Sequence, residues 1–311
     1  MSDQLSNLPL IPQGLPGGAE HEPELEPAPV GLSPFRASLR RFSKNHLAVI
    51  SCGILLMITL ACFVGPFLFP FSSEDADFDN ISAPINLLSI HPFGTDELGR
   101  DLLIRVLEGG RISLSLGYFG AMVSVLISVA YGSTAGYLSG RTDDLMMGSA
   151  NILLSVPFMF LVILINVVLG KNNGSLFVAV LATLWLTPSI IVRGHAVGLR
   201  SREFIEAARA GGMSDFQIIW SHIMPNSVNV VIVYSSLLVI ETILTESFMS
   251  YLGLGIQAPE ASWGTLINDG AGKIETDPRL LILPSAFLAA VLFCLNYITD
   301  GLRDAFDPNE R

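Results

Sequence analysis

Residues 203–226 read EFIEAARAGGMSDFQIIWSHIMPN. The alanine-rich first half suits a short helix, Gly211 and Gly212 interrupt it, and Phe216, Ile219, Trp220 and Ile223 then recur at helical spacing. Pro225 and Asn226 close the stretch and mark a helix boundary. On one side lies 172–192, a run without charge that stops at Arg193; on the other a second apolar run rises from about residue 227. A polar helix–break–helix between two such runs reads as a loop joining two bilayer crossings, each of which needs about 20 apolar residues.

Four more charge-free runs lie further out, at 47–71, 112–140, 145–170 and 280–299. The run after the loop continues past Glu241 to about residue 248, so the chain of 311 residues reads as six crossings. Charged residues make up 14% of it, well below the roughly 25% of soluble domains, and the deficit is concentrated in these runs. The expected fold class is an all-α integral membrane protein with six transmembrane helices.

Orientation follows from lysine and arginine. With the N-terminus in the cytoplasm, eleven basic residues fall inside and six outside, and RASLRRFSKNH before the first run is the strongest single cluster. Both termini and the 203–226 stretch are then cytoplasmic, and two sizeable segments, about 72–111 and 249–279, face outward. The net charge of −11 argues against a nucleic-acid partner. Residues 1–34 hold seven prolines, five acids and no lysine or arginine, a composition that cannot bury a core, so they read as a disordered tail.

Chemistry of the enzymatic kind is missing. There is no G-x-x-x-x-G-K-[ST] phosphate cradle, no H-E-x-x-H and no G-x-S-x-G, the five histidines are scattered, and Cys52, Cys62 and Cys294 sit in apolar runs as small hydrophobes. No metal or other cofactor is expected. Ionisable residues inside a span are functional candidates by default. Here they are Glu241 and Glu246, in VIETILTESFMSYLGLG. Glu241 lies about 21 Å along a helix counted from Ser227, in the outer part of the bilayer. It reads either as a wall of a substrate pathway or as a carboxylate paired to a neighbouring helix. For Glu246 the paired reading is favoured. A cytoplasmic helix–glycine–helix with exposed apolar side chains fits a groove on a partner protein, the alternative being a loop lying on the membrane surface.

Glu206, Ala207 and Ala208, then Gly212, then Pro225 resemble the EAA loop of ATP-binding-cassette importer permeases. HPFGTDELGRDLLIRVLEGGRISLSLGYFG (91–120), SFMSYLGLGIQAPEASWGTLINDG (247–270) and NYITDGLRDAFDP (296–308) narrow the resemblance to the C-type membrane subunits of the peptide/nickel permease family. It covers about residues 36–308; Met224 stands where the family often has leucine before the proline. The resemblance implies a type I importer permease fold. It divides the chain into the tail 1–34, a first helix plus outer segment at 35–111, a permease core at 112–303 with its coupling loop at 193–226, and a cytoplasmic end at 304–311. It implies that Glu206, Ala207, Ala208, Gly212, Phe216 and Pro225 couple the chain to ATPase subunits. The implied assembly has a homologous second permease subunit, two ATPase subunits and an external substrate-binding protein, with peptides as substrate and lipid around the spans.

Two rival readings remain at this point. An ion-coupled secondary transporter would carry ionisable residues on several spans, and only Glu241 comes near that. A membrane anchor for a soluble partner would need neither Glu241 nor two outer segments. Deleting residues 2–30 is expected to leave uptake intact, because 36–44 still orients the first span. Lost uptake at normal membrane levels would show that the tail binds something.

Overall fold

α1 (Pro34–Phe42) and α2 (His46–Val64) open the described chain. The computed structural model describes residues 34–170 and 172–306. The tail expectation for 1–34 lies outside these residues but for Pro34, as does 307–311 of the expected C-terminal end. Asn45 caps α2 by accepting from the Ala48 N–H. A short 3-10 turn follows at Gly65–Leu68. α3 (Leu102–Leu138) is 37 residues long, about 55 Å at 1.5 Å per residue. The charge-free run had placed its start at 112. The helix begins ten residues earlier because its charges are matched by the segment before it: Arg105 pairs with Asp96 at 2.7 Å, and the Ser73 hydroxyl donates to Glu108.

The third run is not one rod. α4 (Gly140–Ser155) and α5 (Phe158–Leu169) meet at an 88° bend. Pro157 has no N–H to give and forces Val156 into an extended conformation. α6 (Asn173–Leu184) and α7 (Leu186–Arg200) run on through Trp185, eight residues beyond the expected end of the fourth crossing. Arg193, expected at the membrane boundary as the first residue of the 193–226 loop, lies inside α7 and forks onto Asp143 of α4.

α8 (Glu203–Ala210) and α9 (Asp215–Ile218) form the quoted stretch. A π-helical turn, Ile219–Ile223, then leads straight into α10 (Met224–Tyr251). Pro225 therefore sits just past the π-helical turn, inside a helix that continues through it, instead of marking a break. After α10, Gly253 takes a left-handed φ of 73° and the chain folds into α11 (Trp263–Ala271), a short helix that the hydrophobic pattern did not reveal. α12 (Arg279–Phe306) closes the described residues. Among them, five helical rods are long and apolar enough to cross a bilayer, and the bent α4–α5 pair makes six.

α3 is the axis of the packing. Its C-terminal half crosses α7 through Gly132 and Gly136, where a Cβ would stand 2.4 Å from the Ser189 carbonyl oxygen and 2.5 Å from that of Arg193. Small residues four apart let two backbones touch, which is how helices gain contact where lipid supplies no hydrophobic drive. Its N-terminal half joins α2, α10, α11 and α12 around Leu114, Ile243, Trp263 and Val291, all fully buried. The segment between α2 and α3 is stapled to the same end. His91 bonds Asp101 at 2.9 Å, and Arg279 donates to the Ala83 carbonyl at 2.8 Å. Burial pushes the Asp96 carboxyl up, but hydrogen bonds and charge from Arg100, with the charge of Arg105, outweigh it and hold it below the usual carboxylate range.

Candidate functional site

The quoted stretch folds as a braced projection. Ile205 of α8, Ile218 of α9 and Ile219 and Ile223 of the π turn are buried together with Tyr137 of α3 and Ala196 of α7, and Ala208 and Met213 pack against them. The Tyr137 hydroxyl donates to Asp215 at 2.9 Å and accepts from Arg209 at 3.2 Å, while the Arg209 guanidinium lies 5.7 Å from the Tyr137 ring centre. Ser214 and Gln217 cap α9 reciprocally. Gly212 makes the turn between α8 and α9 at a φ of 84°, with nothing within 4 Å of where its Cβ would be. That backbone is one an L side chain rarely adopts.

Of the six residues the sequence assigned to coupling, Glu206, Ala207, Gly212, Phe216 and Pro225 are exposed, whereas Ala208 is half-buried against the isoleucine cluster. The expected apolar stripe divides. Ile219 and Ile223 turn inward, while Phe216 and Trp220 remain 74% and 64% exposed, their rings stacked with centroids 6.4 Å apart. Two stacked aromatics facing outward from a braced helix–turn–helix are an apolar face built to be covered.

The two carboxylates of α10 have opposite surroundings. Glu246 is fully buried and accepts from Ser250 at 2.7 Å and from Ser113 of α3 at 2.8 Å. Those hydroxyls in turn accept from the backbone N–H groups of Ile256 and Trp263. So Glu246 is the paired carboxylate, and its burial takes it out of any pathway wall in this conformation. Glu241 is exposed and, among the described residues, has no hydrogen-bond or ion-pair partner.

Residues 128–311 match the family model described as binding-protein-dependent transport system inner membrane component, and residues 33–87 match that of the N-terminal TM domain of oligopeptide transport permease C. The chain belongs to the binding-protein-dependent transport permeases.

This permease is 49% identical over 281 residues to the oligopeptide transport system permease protein OppC of Haemophilus influenzae, covering 90% of both chains. It is 48% identical over 281 residues to OppC of Escherichia coli K12, covering 90% of this chain and 93% of that one. The dipeptide transport system permease protein DppC of Bacillus subtilis is 40% identical over 273 residues, with 88% and 85% covered. Among solved structures, inward-facing MetNI methionine ABC transporter superposes with a TM-score of 0.53 over 65% of this chain and 96% of that one, at 16% identity, which shows the shared fold. The permease is thus a membrane-spanning subunit of an ATP-binding-cassette importer, with the type I importer fold, and works with ATPase and substrate-binding partners.

Several residues that shape the permease escaped the sequence reading. Tyr137 and Arg209 brace the loop, and Ser113, Ser250 and Trp263 build the Glu246 network. Their only sequence signal is polarity inside or beside an apolar run, which many serines and tyrosines share.

Proposed function

We propose that this permease forms the pathway for oligopeptides across a bacterial inner membrane together with a homologous second permease subunit. Two ATPase subunits drive it and an external binding protein delivers the substrate. The observation that carries this reading is the braced helix–turn–helix with its outward Phe216–Trp220 face: a rigid projection can pass a partner's movement to the spans, where a loose loop would absorb it. The nearness of named oligopeptide permeases over nine-tenths of the chain supports the substrate class. The sequence carries no phosphate cradle, which fits a motor on separate chains. Glu206, Ala207, Gly212, Phe216 and Pro225 would contact an ATPase groove, with Ala208 supporting them from behind. Glu241 would line the pathway.

The test is reconstitution of all five components in liposomes. Uptake of trialanine is expected only with ATP and the binding protein, and only when this permease is present. Peptide uptake driven by an ion gradient without the ATPases would overturn the reading in favour of a secondary transporter.

The orientation places both termini and the coupling loop in the cytoplasm. In a background lacking the three native cysteines, Thr276→Cys, at an exposed site on the α11–α12 turn, is expected to react with an impermeant thiol reagent in intact cells. Ser201→Cys, exposed at the end of α7, is expected to react only after permeabilisation. The reverse pattern would invert the topology.

A further inference from the structure

A cavity of about 420 Å³ opens beside Glu241, within the size range of small-molecule sites. It lies where one span is broken, α4 ending at Ser155 and bending at Pro157, and beside Trp185, through which α6 runs on into α7. Glu241 and Thr245 of α10, Thr183, Thr187 and Ser155 supply its polar lining, and no lysine, arginine or histidine lines it. Interrupted helices at bilayer depth are tolerated where they face a cavity instead of lipid.

We propose that this cavity is a subsite for the α-ammonium group of the peptide in transit. The inference rests on the peptide-permease reading above. A carboxylate at bilayer depth without a partner is costly, and it persists where a cation is to be met. The hydroxyls around it point the same way. Ser155 donates its proton to the Ile152 carbonyl at 2.7 Å, and Thr183 donates to that of Val180 at 3.3 Å. What these two leave toward the cavity is oxygen lone pairs. With Glu241, these two make a lining that accepts more hydrogen bonds than it gives, the Thr187 and Thr245 hydroxyls being its remaining donors. Its complement is a group with donors only, and a primary ammonium has three donors and no acceptor. The one such group common to all unblocked peptides, whatever their side chains, is the amino terminus. A subsite for it holds peptides of many sequences without choosing among them.

The experiment compares trialanine with N-acetyl-trialanine in the reconstituted complex, at saturating binding protein, for the wild type, E241Q and E241D. Glu241 makes no hydrogen bond or ion pair among the described residues, so E241Q is expected to assemble normally and to keep binding-protein-stimulated ATP hydrolysis. Its trialanine uptake is expected to fall about tenfold or more, the worth of one charge-assisted hydrogen bond. E241D is expected to retain most of the uptake, and N-acetyl-trialanine uptake is expected to change less than twofold in E241Q. Wild-type trialanine uptake in E241Q, or an equal loss of both peptides, would overturn the subsite. If the wild type rejects the acetylated peptide, E241D decides alone: retained uptake supports the subsite and loss alongside E241Q overturns it. A wild-type complex that takes up neither peptide would sink the proposed function itself, and the subsite with it.

Discussion

Gly212→Arg is expected to abolish uptake while leaving normal amounts of the subunit in the membrane. Within this chain the change is cheap. Nothing stands within 4 Å of the new Cβ, and the left-handed turn at a φ of 84° adds about 1–2 kcal/mol of strain, borne by an exposed loop. The large effect arises at the partner. Overpacking a fitted contact costs about 1–3 kcal/mol and an unpaired buried charge several more. A total near 4 kcal/mol weakens docking about a thousandfold. Co-purification of the ATPase subunits should fall accordingly. Gly212→Asn, which tolerates the left-handed turn, should keep most of the uptake, and Glu206→Ala should be mild, because an exposed charge contact is worth about 0–1 kcal/mol. ATPase association and uptake at wild-type levels in Gly212→Arg would remove this stretch from the interface and leave it as a membrane-surface loop.

Glu246→Ala is expected to destabilise the subunit itself. The substitution deletes an acceptor for Ser113 and Ser250 and leaves two buried hydroxyls facing a void. A loss of about 2–6 kcal/mol follows, from about 1–3 kcal/mol for each of the two buried groups left unsatisfied. The readouts are thermal unfolding of the detergent-solubilised protein and its amount in the membrane. Glu246→Gln, nearly the same shape with one acceptor kept, should fall between alanine and wild type. An unchanged unfolding temperature in the alanine variant would mean that the hydroxyl network holds nothing together.

The crossings were legible because a bilayer demands long charge-free runs, and each of the six runs is helical in the structure. Their limits were less so. Charge marks where a helix leaves hydrocarbon, not where it ends, and α3 and α7 both continue past charged residues whose partners are distant in sequence: Asp96 for Arg105 and Asp143 for Arg193. α11 stayed hidden because nine residues in a loop carry too few turns to show a period. In the loop, alanines and glycines were read correctly as a helix and a turn, but the π-helical segment changes the angular spacing, so Phe216 and Trp220 separate from Ile219 and Ile223. Glu241 and Glu246 are five residues apart in like sequence surroundings. Only the positions of Ser113 and Ser250 tell the buried staple from the free carboxylate.

α3 holds Tyr137, the brace of the 203–226 loop, near one end, and Val106 and Ser113, the anchors of Trp263 and Glu246, near the other. Its 37 residues contain no proline and no break in the helix. A beam of that kind has little slack. Over about 55 Å, a tilt of about 5° displaces one tip relative to the other by about 5 Å. A small rotation begun at the loop therefore arrives at the α11 face as a shift as large as a helical turn, with no relay of side chains in between.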